Sequence, residues 1–241
     1  MKLSVIITAF DKPFITGIHV REVMNSTVLP DEIIIVNDCG DPTVRDELLK
    51  LEKKTRIVYA YINPPKIEWN YNGACNLGFW LSRGDVIAFE DNDNIPMKDF
   101  YEKALKFMDD NQNTGVVFGH LRYDVSVNDL AKPVEEWKVL GNRGPNRGSY
   151  LIKRDIFSKL KGHDERFCGR YGFMYYLWRW KLLQNTQFGQ AGTFHYVVEG
   201  QSNLSHKNNA INYHIYQKSV RENMMQSPIG ILNFLYSVEI L

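Results

Sequence analysis

Short, unbroken apolar runs mark the first half of the chain, and amphipathic stretches separate them. Residues 4–8, 32–36, 56–62, 86–89 and 115–119 are rich in Val, Ile, Tyr and Phe, continuous rather than alternating with polar residues. Such runs suit parallel strands buried on both faces. Residues 14–26 carry helical spacing and follow Pro13, a good first-turn residue. Helices are likewise predicted over 44–54, 72–82 and 96–110. Turn signals end the strands: Asn37-Asp38-Cys39-Gly40-Asp41-Pro42 after the second and Pro64-Pro65 after the third.

Strand and helix alternate over about the first 120 residues. That order predicts the α/β class, with right-handed crossovers and a doubly wound, mostly parallel sheet. Ligands of such sheets bind beyond the carboxyl ends of the strands. Loops 8–12, 37–41 and 90–94 are therefore expected together. The second half reads differently. Residues 125–146 form a polar loop, 149–153 a short strand, 154–160 a helix, 169–183 an aromatic-rich helix with its preceding turn, and 188–199 an antiparallel strand or hairpin. We expect a smaller antiparallel subregion beside the main sheet. The division expected is 1–124, 125–222 and a tail, 223–241, with an apolar end.

Composition narrows the class. With 241 residues, 44% hydrophobic and 24% charged, the chain suits one sizeable globular domain. No apolar run approaches the roughly 18–20 residues of a membrane span. The apolar start is cut off by Asp11-Lys12-Pro13, too early for a signal peptide. Cys39, Cys75 and Cys168 have no pair spacing, so neither a disulfide framework nor a zinc site is expected, and the setting expected is cytoplasmic. The net charge of +1 hides an asymmetry. Residues 1–136 hold 15 basic and 22 acidic side chains, and residues 137–181 hold 11 basic and 3 acidic. A basic stretch of that density bears on partners rather than fold, although a solvated face balancing the acidic half reads equally well.

The sharpest chemical signal is Phe89-Glu90-Asp91-Asn92-Asp93-Asn94, directly after a buried strand. Carboxylates at i and i+2 beyond a strand end converge on one divalent cation if the chain turns there. Hard cations such as Mg²⁺ or Mn²⁺ take oxygen ligands and bridge to phosphates. Glu90 is expected on the opposite face of the strand.

Four segments then fall in register. Ser4 to Asp11, Asp31 to Asp38, Gly73-Ala74-Cys75-Asn76-Leu77-Gly78, and Arg83 to Asp93 resemble the family 2 glycosyltransferases of the type-A fold, over roughly the first 95 residues. The resemblance implies transfer of a sugar from a nucleotide-sugar donor to a hydroxyl. It implies that Thr8, Ala9 and Phe10 line the nucleobase pocket and that Asp38 bonds the base or ribose. It places Asn76 and Gly78 where the helix faces the nucleotide. Asp91 reaches the ribose and the metal, Asp93 the metal, with Mn²⁺ or Mg²⁺ as cofactor. A His past the acceptor helix often completes such a metal site; His206 is preferred and His195 is the other candidate.

Two departures stand out. Cys75 replaces the family's usual Arg. Gly162-His163-Asp164-Glu165-Arg166-Phe167 resembles the acceptor motif, but Phe173 and Met174 stand where an acid pair, one of them the general base, should follow. Neither accepts a proton. Asp164 and then Glu165 are the nearest acids to replace it; a retaining mechanism, which needs no such base, is the other route. Tyr171, Tyr175 and Trp178 interleave with basic residues from Lys138 to Lys181. Cations for phosphates and rings for stacking suit an anionic acceptor: a glycan, or a nucleic acid such as DNA with a hydroxymethylated base. The rival reading is a catalytically silent nucleotide-sugar-binding module; a nucleotidyltransferase is a third, disfavoured because no Gly-rich phosphate loop follows the first strand.

Overall fold

The computed structural model describes residues 1–63, 70–112, 116–118, 121–129, 132–142, 149–165, 167, 186–189, 191–196, 217 and 235–241. Four parallel strands form its centre: β1 (Leu3–Ala9), β2 (Glu32–Asn37), β3 (Arg56–Ile62) and β4 (Val86–Asp91). β2 and β3 lie on one side of β1 and β4 on the other. The strand order therefore reverses between β1 and β4, the switch point at which such sheets bind ligands. In register, Thr8 lies opposite both Val36 and Asp91.

Both faces of these strands are buried, which is why their sequences do not alternate. Val5, Ile7, Ile33, Ile35, Ile57, Val86 and Ala88 pack on one face with α1 (Pro13–Met24), α2 (Thr43–Leu49) and α4 (Phe100–Asp110). Ile6, Ile34, Val36, Val58, Ile87 and Phe89 pack on the other with α3 (Tyr71–Leu81) and α5 (Arg154–Lys159). The α/β expectation holds: helix, sheet, helix.

Three more described strands and the chain end extend this sheet. β9 (Ser149–Lys153) lies antiparallel between β4 and β6 (Val116–Phe118), and β10 (Thr186–Phe188) continues it. β12 (Tyr236–Ile240) pairs antiparallel with β3 at the opposite edge. The sheet thus takes strands from all three expected divisions. A second sheet runs β5 (Asn94–Pro96), β11 (Gly192–Tyr196), β7 (Leu121–Val125), β8 (Val139–Asn142). It is mixed rather than wholly antiparallel, because β11 runs parallel to β7.

Three local expectations need correction. The helix expected from residue 96 starts at Phe100, because Asn94–Pro96 pairs with β11. The helix expected to reach residue 54 ends at Leu49. The stretch read as a polar loop from 125 contains two short 3-10 turns, Val127–Asp129 and Val134–Glu136, and the strand β8. No described helix is long and apolar enough to cross a membrane.

Candidate active site

The carboxyl ends of β1, β2 and β4 are tied together by their own backbone. Asp38 N–H donates to Ala9 O at 2.7 Å, Asp41 N–H to Phe10 O at 2.7 Å, and Asn92 N–H to Thr8 O at 3.1 Å. Gly40 lies so close to Phe10 that an added Cβ would overlap the Phe10 carbonyl oxygen. Only glycine permits that approach. Thr8, Ala9 and Phe10 thus line the edge where loops 8–12, 37–41 and 90–94 meet.

Asn37, rather than Asp38, closes the turn after β2. Its side chain donates to Asp41 O at 2.8 Å and accepts from Gly40 N–H at 2.8 Å. Asp38 is thereby left to reach across the edge, where its buried carboxylate accepts from the backbone N–H of Asn70. Asn70 caps α3 by accepting from Gly73 N–H at 3.0 Å.

Alternation along β4 separates its acids. Asp91 follows Ile87 and Phe89 onto the α3 face, and Glu90 turns to the opposite face, as expected. Glu90 meets His19 Nε2 at 2.5 Å and accepts from the Tyr101 hydroxyl at 2.7 Å. His19 Nδ1 donates to Asn92 O at 3.1 Å. The Asn92 side chain donates to Asp11 O at 2.8 Å and Thr16 Oγ1 at 3.0 Å. The turn carrying Asp91 and Asp93 is therefore braced from behind by α1 and α4.

Two partners converge on Asp93. Lys12 Nζ donates to its Oδ2 at 2.8 Å, and both side chains are 18% exposed. His195 Nε2 lies 3.6 Å from the same oxygen, while its Nδ1 lies 3.2 Å from Asp124 Oδ1. Pairing of β11 with β5 and β7 delivers His195 to this point. Burial alone would raise the Asp93 pKa; the His195 contact and the Lys12 charge outweigh it and hold the carboxyl below the usual range. Burial likewise works against the Lys12 ammonium, but Asp93, with Asp11 and Asp91, keeps it charged. Asn94 Nδ2 donates to Asp91 Oδ2 at 3.2 Å. Among the described residues, no three His, Cys, Asp or Glu side chains already form a metal cage.

Residues 162–165 and Phe167 lie along α3. Asn76 donates to His163 O at 2.9 Å and to Glu165 Oε1 at 2.7 Å, and accepts from His163 N–H at 2.8 Å. Asn72 donates to Asp164 O at 3.1 Å and Phe167 O at 3.0 Å. With both its amide hydrogens used there, Asn72 Oδ1 must accept from His163 Nδ1, 3.0 Å away. His163 Nε2 then accepts from the Tyr150 hydroxyl at 2.7 Å. The imidazole is neutral, its pKa lowered by burial to about 3. Asp164 is buried; Glu165 is half-buried, and burial raises its pKa despite the Asn76 bond.

Several expected residues lie elsewhere. Gly78 does not face the cleft: an added Cβ would sit 2.4 Å from Ile6 Cγ2, so it brings α3 against β1. Asn76 serves the 162–167 segment. Cys75 is buried in the core beside Tyr71. Arg154, counted with the basic stretch, donates to Gly84 O and Ser82 Oγ, at the amino end of β4. It lies there because β9 runs antiparallel to β4. His206, Arg166, Cys168 and the aromatic stretch 171–180 lie outside the described residues. Lys12 went unread in the sequence, where it served as a strand breaker; its place just past the first strand was the available signal.

A probable glycosyltransferase, YdaM, of Bacillus subtilis (strain 168) is 29% identical over 186 residues, covering 68% of this chain and 43% of that protein. The chain thus spans less than half of that relative. The crystal structure of S. aureus TarS 1–349 with UDP-GlcNAc matches at a TM-score of 0.58 and 14% identity, over 91% of this chain and 66% of that one. A mannosyltransferase from Pyrobaculum calidifontis, in complex with GDP-Man and Mn²⁺, matches at 0.59 and 10% identity, over 94% and 65%. Both share the type-A fold. The sequence profile described as Glycosyl transferase family 2 matches residues 4–178, most of the chain, and the chain belongs to that family.

Proposed function

We propose that this chain is a glycosyltransferase that uses a divalent cation, Mn²⁺ or Mg²⁺, to move a sugar from a nucleoside diphosphate sugar to an acceptor hydroxyl in the cytoplasm. The observation that carries the reading is the Asp91–Asp93 turn: it lies at the switch point of the sheet, across β1 from Asp38, with Asp93 held ionised against a cationic side chain. The complexes of the two similar structures, with UDP-GlcNAc and with GDP-Man and Mn²⁺, support the same donor class; a UDP-sugar is the first donor to test.

The residues at the turn fit a divalent cation. Two carboxylates on a braced turn supply hard oxygens, and a diphosphate supplies more. The position already attracts positive charge, since Lys12 is drawn to Asp93 there. Asp91 and Asp93 would hold the ion, with His195 an imidazole 3.6 Å from Asp93 and Asp124 orienting it. A bound cation offsets negative charge on the departing diphosphate.

The remaining roles belong to the chain. Thr8–Phe10 and Asp38 hold the nucleoside at the ends of β1 and β2. As the bond from the sugar C1 to the phosphate oxygen breaks, the acceptor oxygen bonds to C1 and its proton passes to a carboxylate. Glu165 fits that task better than Asp164, because it is less buried and burial raises its pKa, as a proton acceptor needs. A polyanionic or glycan acceptor, DNA with a hydroxymethylated base included, accords with the basic stretch, less Arg154.

A panel of nucleotide sugars tests this. With Mn²⁺, one of them should raise the melting temperature and release its nucleoside diphosphate slowly in water. A donor at 100 times its dissociation constant adds about 2.7 kcal/mol of stability. Binding without release, even with glycan and DNA acceptors, would favour the silent module. No stabilisation by any donor would remove the reading.

A further inference from the structure

Lys12 occupies an unfavourable place. Its backbone is left-handed, with φ of 63°, a conformation that non-glycine residues seldom adopt. It stands at the N-cap of α1, where the helix dipole repels a cation. Its ammonium is largely buried. What offsets these costs is the 2.8 Å contact with Asp93, reinforced by Asp11 and Asp91. The strained backbone aims a cation at the carboxylate proposed to bind the metal.

We propose that Lys12 is a tethered counter-ion of the donor site, which neutralises Asp93 in the free protein and yields it only when a divalent cation and a nucleoside diphosphate bind together. This rests on the reading of Asp91 and Asp93 as metal ligands. The charges give the reason. The two proposed ligands and the Lys12 ammonium sum to −1, with Asp11 a further acid near the ammonium. A divalent cation alone brings those three groups to +1 and competes with Lys12 for Asp93. A diphosphate arriving with the cation adds at least two negative charges and gives the displaced ammonium a new partner within reach of its tether. Cation and nucleotide therefore bind cooperatively, and the coupling runs through Lys12.

Mn²⁺ binding measured by electron paramagnetic resonance, with and without UDP and GDP, tests this without any turnover. Lys12→Gln should bind Mn²⁺ about tenfold more tightly than the native protein when nucleotide is absent, and the tightening caused by nucleotide should shrink by about the same factor. Lys12→Arg keeps the charge and should behave like the native protein. A merely structural ion pair would lower the melting temperature of Lys12→Gln but leave the coupling unchanged. Equal Mn²⁺ affinity and equal coupling in native and Lys12→Gln proteins would overturn the proposal while leaving the metal site standing. Failure of every variant to bind Mn²⁺ with either nucleotide would remove both.

Discussion

Asp93→Asn should lower nucleoside diphosphate release from the best donor by a factor on the order of 10²–10³. The substitution keeps the shape of the side chain and removes its charge. In the folded protein that carboxyl is held ionised, so it is available as an anionic ligand throughout the neutral range. An amide binds a hard cation far more weakly, and the departing diphosphate would develop its charge with less to offset it. Asn should still accept from Lys12, and the brace of His19, Glu90, Tyr101 and Asn92 does not touch the Asp93 side chain. The variant should therefore fold, which thermal unfolding checks separately. Release within about twofold of the native rate would mean that Asp93 does not serve the reacting centre.

His163 should make the protein acid-labile. Its folded pKa is lowered to about 3, against about 6.5 in an unfolded chain. Between those values the unfolded chain takes up a proton that the fold refuses. Stability is therefore lost as pH falls below 6.5, by up to about 1.4 kcal/mol per pH unit from this residue. His163→Phe places a ring that does not titrate in an aromatic surround of Phe89, Phe157, Tyr71 and Tyr150. It also takes a bonding partner from the Tyr150 hydroxyl and from Asn72 Oδ1, at about 1–3 kcal/mol for each buried group. The variant should be the less stable protein at pH 7.5, and the gap should narrow steadily as pH falls towards 4. Melting temperatures of both proteins across that range decide it; parallel curves would mean that His163 titrates alike in both states.

What could be read from the sequence, and what could not, follows from how each element is specified. β3 occupies the residues expected, Arg56–Ile62, because a β-branched and aromatic run buried on both faces has one way to sit. The opposed placement of Glu90 and Asp91 followed from the two-residue strand period. β5 and β8 were not legible: Asn94–Pro96 and Val139–Asn142 are short, and pairing with distant strands defines them. The same pairing brings His195 to Asp93, and spacing along the chain cannot weigh that against His206. Asn72 and His163 were hidden for a related reason. Each is ordinary in its own segment, and the bond between them spans the fold. Lys12 depends on a left-handed backbone that lysine gives no sign of adopting.

Crystals grown with Mn²⁺ and UDP, or with GDP, and measured at a wavelength where manganese scatters anomalously would test the metal assignment at its root. An anomalous peak within coordinating distance of carboxylate oxygens from both residues 91 and 93, shared with the nucleotide's phosphates, is the predicted result. Nucleotide seated beside Asp38 with manganese elsewhere, or with none bound, would contradict it.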